Sequence, residues 1–316
     1  MDPDADGLRG LTNYSITSTY NSALQCLAQV EEVVSFCFSE RAEIVNEDNV
    51  LGSGGAVAKL FASSIRAIWS MESGPFYPNH FNGAVKTVNQ NHEPLPFLFA
   101  SILDVLHEDW KSTAGKDDDR LVTAENSFIH DLFALKTSRL ASCSEGHSQE
   151  VQSHLLYFDL FQEPEKGDQD LIDMFQYHWS RDDMWYCAPC GKLCETYSSP
   201  TYITHFPKAL VLLINRDPST FSCEVDFPEE LRLDEFADPS FQGSPTYSLI
   251  GICNQYGNPQ AGHQTANIFS YKYKKWFVAD DTRIAPYDNV FTSEIRQSAC
   301  VLVYTQRTSR AKSANK

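Results

Sequence analysis

Near its N-terminus the chain reads Gly10-Leu11-Thr12-Asn13-Tyr14-Ser15-Ile16-Thr17-Ser18-Thr19-Tyr20-Asn21-Ser22-Ala23-Leu24-Gln25-Cys26-Leu27. This polar loop leads into an apolar-rich segment over 21–38, and the Ser and Thr residues before it are typical of a helix N-terminus. Ser18 is expected near that N-terminus, where the helix dipole stabilises negative charge and lowers the pKa of a nucleophile. On the local residues alone, the simpler interpretation is that Ser18 is a helix cap and nothing more.

A second polar motif lies near the C-terminus. The chain reads Ala261-Gly262-His263-Gln264-Thr265-Ala266 and then Lys275-Trp276-Phe277-Val278-Ala279-Asp280-Asp281. His263 opens one predicted strand and Asp280 closes the next. If the two strands form a hairpin, these ends meet and Asp280 can orient His263 as a general base. The alternative is a surface histidine beside a solvated pair of aspartates at a turn.

Cysteines form the third motif, Cys187-Ala188-Pro189-Cys190. Cys143 and His147 lie upstream and supply a second pair of potential ligands for a tetrahedral zinc ion, with Cys194 as a further candidate. Free thiols in a loop are the alternative. The chain has 9 cysteines, an odd number scattered along its length. That pattern favours a reducing compartment with free thiols or metal ligands over a disulfide framework.

Hydrophobic patterning divides the chain into helices followed by strands. Its 316 residues suggest two domains, or one large domain with subdomains. Apolar residues at three- and four-residue steps predict helices after Gly54-Gly55, over 97–110 and over 128–133. Strands are predicted over 151–160, 208–214, 246–253, 263–271, 275–278 and 299–304, and the continuous apolar run at 208–214 indicates a strand buried on both faces. This order predicts an α+β fold with its seam near Leu135–Ser142.

Charge excludes some classes of partner. The net charge of −17 argues against nucleic-acid binding and against docking on anionic membranes, and favours a basic protein partner. The longest apolar run falls far short of the roughly 18 residues that a membrane span requires. The opening Met-Asp-Pro-Asp-Ala-Asp resembles neither a signal peptide nor a transit peptide, so we expect a cytoplasmic or nuclear protein. An acidic tail is expected over 1–6 and a polar, basic one over 307–316, both frayed.

Taken together, these motifs resemble the catalytic domain of the ubiquitin-specific proteases. The family's first box is matched at Gly10, Leu11, Asn13, Thr17, Asn21, Ser22, Leu24, Gln25, Cys26 and Leu27. Its last box is matched at Gly262, His263, Thr265, Ala266, Trp276, Asp280 and Asp281. The segments 103–109 and 206–216 look like the family's Leu-Asp-x-Leu-His-Glu-Asp helix and its apolar strand ending in Arg. The resemblance covers about residues 7–306.

The resemblance implies a papain-like cysteine-protease fold shaped as a right hand. A helical thumb is expected over about 7–137, zinc-ribbon-like β fingers over 138–200 and a β palm over 201–306. One structural zinc is implied, at Cys143, His147, Cys187 and Cys190, and catalysis needs no cofactor.

Family members cleave the bond after the C-terminal glycine of ubiquitin. The resemblance assigns general-base and then general-acid work to His263, its orientation to Asp280, an oxyanion donor to Asn13 and a secondary role to Asp281. A Cys thiolate is the family's nucleophile, and Ser18 stands at that position here. A serine hydroxyl has a much higher pKa and a shorter reach than a thiol, so exchange at this centre costs several orders of magnitude in rate.

Other family positions have changed as well. Ser15 and Ile16 replace usual residues of the first box, and Gln264 and Asn267 replace two tyrosines of the last box. The box lining the channel for ubiquitin's tail aligns with 92–97, which lacks both glutamines and contains two prolines. The sequence therefore predicts an inactive homologue that binds ubiquitin, a ubiquitin-like protein or another protein. The alternatives are a working hydrolase using Ser18, His263 and Asp280, and a scaffold that has lost ubiquitin recognition.

Overall fold

Helices occupy the first part of the chain in the computed structural model. It describes residues 4–14, 17–88, 94–111, 126–163, 166–180, 184–195, 200–216, 223–257 and 262–307. The expectations for residues 1–3 and 308–316, and for Ser15, Ile16, His92 and Glu93, lie outside these ranges. The helices are α1 (Ser18–Leu27), α2 (Glu31–Cys37), α3 (Ala56–Ile68), α4 (Asn79–Val88), α5 (Leu95–Asp109) and α6 (Phe128–Phe133).

Strands dominate after residue 134. They are β1 (Leu135–Ser142), β2 (Ser148–Leu155), β3 (Phe158–Phe161), β4 (Gln169–Asp170), β5 (Met184–Cys187), β6 (Lys192–Glu195), β7 (Tyr202–His205), β8 (Ala209–Asn215), β9 (Val225–Asp226), β10 (Glu230–Leu231), β11 (Tyr247–Tyr256), β12 (His263–Ser270), β13 (Lys275–Asp280), β14 (Arg283–Tyr287) and β15 (Ala299–Gln306). Two further helices interrupt them, α7 (Leu171–Ser180) and α8 (Ser293–Ser298). This segregation of helices from strands confirms the α+β class.

The palm is a sheet in the order β14-β13-β12-β11-β15-β8-β3. The short strand β10 pairs with the first two residues of β11. One face packs against the helices α1, α5 and α6, with α2 and α3 in the same core cluster behind them, and the other packs against α7 and the 225–236 segment. Because both faces are covered, β8 is apolar and buried along almost its whole length, as its continuous apolar run predicts.

The fingers consist of the sheet β2-β1-β7 and the separate hairpin β5-β6. The expected linear boundary of the fingers does not follow the sheets, since β3 falls within 138–200 but pairs in parallel with β8 of the palm. The chain leaves the fingers for one palm strand and then returns to them.

The single helix predicted over 21–38 is divided into α1 and α2. The chain turns at 28–30, where the backbone N–H of Gln29 donates to Cys26 at 3.1 Å. The Gln29 side chain also donates to the carbonyl of Gly7 at 3.1 Å. This bond ties the turn to the N-terminal segment, so a long-range contact ends α1 where periodicity alone would continue it.

The acidic N-terminal segment is anchored over the part of it that the structure describes. Ala5 is buried, and the Asp6 carboxylate accepts hydrogen bonds from the Leu8 amide at 3.0 Å and the Tyr273 hydroxyl at 3.1 Å. The fraying expected over 1–6 is therefore not seen at Ala5 and Asp6. Among the described residues, no helix is both long and apolar enough to cross a membrane.

Candidate active site

The first polar motif meets the second at the edge of the palm. The backbone N–H of Leu11 donates to the carbonyl of Asp281 at 2.8 Å. Gly10 allows this approach, because a Cβ at this position would lie 2.3 Å from the carbonyl oxygen of Thr282. Sequence segments about 270 residues apart are thereby joined into one site.

The Asp281 side chain also binds the first polar motif to the second. One carboxylate oxygen accepts from the amide of Asn13 at 2.8 Å, and the other accepts from the amide of Asn21 at 2.9 Å. Asp281 also adopts a left-handed backbone conformation with φ of 50°. The Asn13 amide nitrogen, the expected oxyanion donor, is thus engaged with Asp281, while its oxygen accepts from Thr17.

We expect Asp281→Asn to lower the free energy of unfolding by about 1–3 kcal/mol, because the amide puts a donor in place of one half-buried carboxylate oxygen, where it faces the amide of Asn13 or Asn21. Asparagine tolerates the left-handed backbone, so the change isolates the hydrogen bonds. Denaturant unfolding measures the loss. Asp280→Asn is the matched control, with an expected loss below about 1 kcal/mol; equal losses in the two variants would contradict this division of roles.

His263 and Asp280 come together across the neighbouring strands β12 and β13. The Nε2 atom of His263 lies 2.7 Å from an Asp280 carboxylate oxygen, and both side chains are about half exposed. Since a carboxylate only accepts, Nε2 donates, and Nδ1 is left as the basic nitrogen. The pair has the geometry of a base and the group that orients it.

Ser18 is the first residue of α1 and is only 3% exposed. Thr17 holds the N-cap position, so Ser18 is not the cap. The Ser18 hydroxyl donates to the side-chain oxygen of Gln264 at 2.6 Å. Among the described residues, no hydrogen bond joins Ser18 to His263. The structure therefore places a histidine–aspartate pair and a serine in one region without connecting the serine to the pair.

Gln264 is the site residue whose position the sequence did not reveal. The change from a family tyrosine is visible in the sequence, but the direction of the side chain is not. Successive side chains on a strand point to opposite faces, so Gln264 and His263 point apart. The α1 helix packs on the face that carries Gln264, which explains why Ser18 meets the glutamine.

A cysteine cluster in the fingers is positioned to bind a metal. The Sγ atoms of Cys143, Cys187, Cys190 and Cys194 all lie within 4.8 Å of one another. Two hairpin turns present the first three of these, each with a glycine in the left-handed region: Gly146 (φ 82°) and Gly191 (φ 64°). The small local core beneath the turns contains Ala141 and Trp185.

The donor geometry fits a tetrahedral zinc ion. Zinc with bonds of about 2.3 Å to sulfur separates its sulfur ligands by about 3.8 Å. The Sγ of Cys143 lies 3.8 Å from those of Cys187 and Cys190. The Nδ1 of His147 lies 3.5, 3.8 and 3.2 Å from the sulfurs of Cys143, Cys187 and Cys190, respectively.

The electrostatics at Cys143 favour the ligand form of its thiol. Burial raises the pKa of this thiol, but hydrogen bonds from the backbone N–H groups of Glu145 and His147, together with those from the side chains of His147 and Cys190, lower it to about 6. A thiolate is the form that binds metal.

Comparison with known proteins accords with this geometry. The family model described as ubiquitin carboxyl-terminal hydrolase matches residues 9–304. This chain belongs to that family. The match runs through all the described strands of the palm apart from the last residues of β15, so the thumb, fingers and palm are those of one family domain.

Several family members resemble the chain along most of its length. Ubiquitin carboxyl-terminal hydrolase 2 of Bos taurus is 25% identical over 347 aligned positions, which cover 95% of this chain and 55% of that protein. Ubiquitin carboxyl-terminal hydrolase Usp2 of Drosophila melanogaster is 25% identical, covering 97% of this chain and 36% of that protein. Ubiquitin carboxyl-terminal hydrolase 9 of Arabidopsis thaliana is 34% identical over 115 positions, or 35% of this chain. The chain thus spans about half, or less, of the length of these relatives.

Proposed function

We propose that this chain is a non-hydrolysing member of the ubiquitin carboxyl-terminal hydrolase family that binds ubiquitin. The observation that carries the proposal is the hydrogen bond of Ser18 to Gln264 in place of one to His263. A base activates a nucleophile by accepting its proton, and here the Ser18 hydroxyl donates its single proton to Gln264. A serine hydroxyl, with its high pKa, depends on that base even more than a thiol does.

A cavity between α5 and the fingers supports binding of a basic partner. It has a volume of about 500 Å³, and its lining includes the carboxylates of Asp104 and Asp159, the Tyr157 hydroxyl and four histidines, His107, His130, His154 and His178. Burial raises the pKa of the Asp104 carboxyl, although the Tyr157 hydroxyl donates to it, and the nearby charges of Glu108 and Asp159 raise it further. A positively charged side chain of a partner would offset this repulsion between carboxylates. The net charge of −17 also favours a basic partner.

Calorimetric titration with monoubiquitin at low and moderate salt tests the proposal. We expect saturable binding that weakens with salt, and at least a threefold loss of affinity in Asp104→Asn, which removes one of the facing charges. Glu31→Gln is the control, because Glu31 is an exposed carboxylate of α2 and does not line the cavity.

One result of this titration, and one result of a cleavage assay with a ubiquitin conjugate, would overturn the proposal. The absence of heat up to millimolar ubiquitin would indicate a scaffold for another protein, in line with the two prolines that begin α5. Cleavage of a ubiquitin conjugate that disappears in His263→Ala would indicate a hydrolase. The assembled pair of His263 and Asp280 is the observation that favours this second function.

We further propose that the fingers hold one structural zinc ion through Cys143, His147, Cys187 and Cys190. The ligand separations support this set, with Cys194 lying beside it. The ion would cross-link the two hairpin turns and would take no part in catalysis.

A further inference from the structure

A chain of buried amides connects Ser18 to the interior of the palm. The side-chain oxygen of Gln264 accepts from Ser18 at 2.6 Å and from the Thr19 hydroxyl at 3.2 Å. The side-chain nitrogen of Gln264 donates to the side-chain oxygen of Gln255 at 2.7 Å. Ser18, Gln264 and Gln255 are all less than 10% exposed, so water does not compete for these bonds.

The register of the palm sheet fixes this chain of amides. Gln255 and Gln264 are directly paired across β11 and β12, so their side chains lie side by side on the same face. The α1 helix packs on that face and brings Ser18 and Thr19 to it. Gln255 also lines a cavity of about 240 Å³ beside Pro94, Pro96 and Phe97 at the start of α5. The two glutamines thus connect the nucleophile position to the wall of that cavity.

We propose that Gln264 is a positioning residue that fastens the Ser18 hydroxyl to the palm, which makes Ser18 a structural link and not a nucleophile. The inference rests on the proposed absence of hydrolysis. A buried hydroxyl and a buried amide each lose free energy when left without a partner, so the two residues stabilise the fold as a unit. Restoring a thiol at position 18 leaves that thiol beside the Gln264 amide oxygen.

A double-mutant cycle of thermal unfolding tests the structural link. We expect Ser18→Ala and Gln264→Met each to lower Tm by roughly 2 °C or more. Gln264→Met leaves the buried Ser18 hydroxyl without its acceptor, and Ser18→Ala removes the shorter of the two hydrogen bonds to the Gln264 oxygen. The combined variant is expected to lose clearly less than the sum of the two. Gln25→Ala is the matched control, since Gln25 is buried in the same helix and donates to Arg9 instead. Its loss is expected to add to that of Ser18→Ala, and additivity of Ser18→Ala with Gln264→Met would overturn the proposal.

Alkylation by iodoacetamide tests the same inference without ubiquitin. The rate at position 18 is followed by peptide mass spectrometry in Ser18→Cys and in Ser18→Cys with Gln264→Ala. We expect alkylation at position 18 to be at least tenfold faster in Ser18→Cys with Gln264→Ala than in Ser18→Cys alone. In the control, Ser18→Cys with Gln25→Ala, we expect the same rate as in Ser18→Cys alone. Equal rates with and without Gln264 would overturn the positioning role.

The two proposals fail in different measurements. The ubiquitin titration and the conjugate assay on the unaltered chain decide the proposed function, whereas the unfolding cycle and the alkylation rates decide the role of Gln264. A chain that binds no ubiquitin can still show the coupling between Ser18 and Gln264.

Discussion

Replacing Asp109 by alanine is expected to lower the free energy of unfolding by about 3–5 kcal/mol, the largest effect of any single substitution considered. Asp109 is fully buried at the end of α5. Its carboxylate accepts from the amide and hydroxyl of Ser53 at 2.6 and 2.5 Å, and from the amides of Gly55 and Ala58 at 3.2 and 3.0 Å. Alanine leaves these donors buried without an acceptor.

The location of these donors explains the size of the effect. They belong to the loop before α3 and to its first turn, where unpaired N–H groups and the helix dipole both favour a negative charge. Asp109 therefore joins α5 to the start of α3 and holds the thumb together. Gly52 is required beside it, since a Cβ there would lie 2.6 Å from an Asp109 oxygen.

Denaturant unfolding measures the loss in Asp109→Ala. Glu43→Ala is the control, because Glu43 forms an exposed ion pair with Arg66 next to α3 and its removal is expected to cost less than about 1 kcal/mol. Similar denaturation midpoints for Asp109→Ala and Glu43→Ala would show that the Asp109 carboxylate does not stabilise the thumb. Ubiquitin binding is not involved in this comparison.

Removal of zinc is expected to have the second large effect, confined to the fingers. The metal supplies the folding free energy of small zinc-binding units, on the order of 10 kcal/mol in isolated peptides. Metal analysis is expected to give about one equivalent of zinc per chain, falling below about 0.2 in Cys187→Ser. Hydrogen exchange is expected to lose protection in β5 and β6 on chelation, while α1 and β12 keep theirs.

Two substitutions distinguish the fourth ligand of that site. We expect His147→Ala to lower zinc affinity at least tenfold and Cys194→Ser to leave it nearly unchanged, because the His147 nitrogen already lies within 3.8 Å of three ligand sulfurs. The reverse result would assign the site to the four cysteines. A metal-free protein with an intact thermal transition would reject the zinc proposal altogether.

Strong periodicity made some elements predictable from the sequence. The helix after Gly54-Gly55 is α3 and the helix over 128–133 is α6, since three- and four-residue apolar steps have no other simple interpretation. The buried run at 208–214 is β8, and the expected hairpin is formed by β12 and β13. In these segments, local pattern and final burial agree.

Other elements could not be predicted, because their stability comes from distant contacts. The helix α4 is short, contains a glycine and carries a narrow apolar face that includes Phe81 and Val85, and that face packs against α3. The helix α7 interrupts the fingers and packs its aromatic residues on the palm beside Phe158 and Phe236. Both helices are only ten residues long, too short to be stable in isolation, so tertiary burial supplies most of the free energy that holds them.

The sequence alone determined the α+β order, the family resemblance and the chemical types at the site: a serine, a histidine, paired aspartates and a cysteine cluster. Each of those properties depends on residues close together in the sequence, so it is visible without the tertiary structure. The sequence also predicted Asp280 as the partner that orients His263, and the two side chains lie 2.7 Å apart. Only the tertiary structure decided that Asp281 accepts from Asn13 and Asn21. Only it showed that Ser18 donates to Gln264. The physical reason is that strand register and helix docking choose a side chain's partner, and both are set by contacts between segments far apart in the chain.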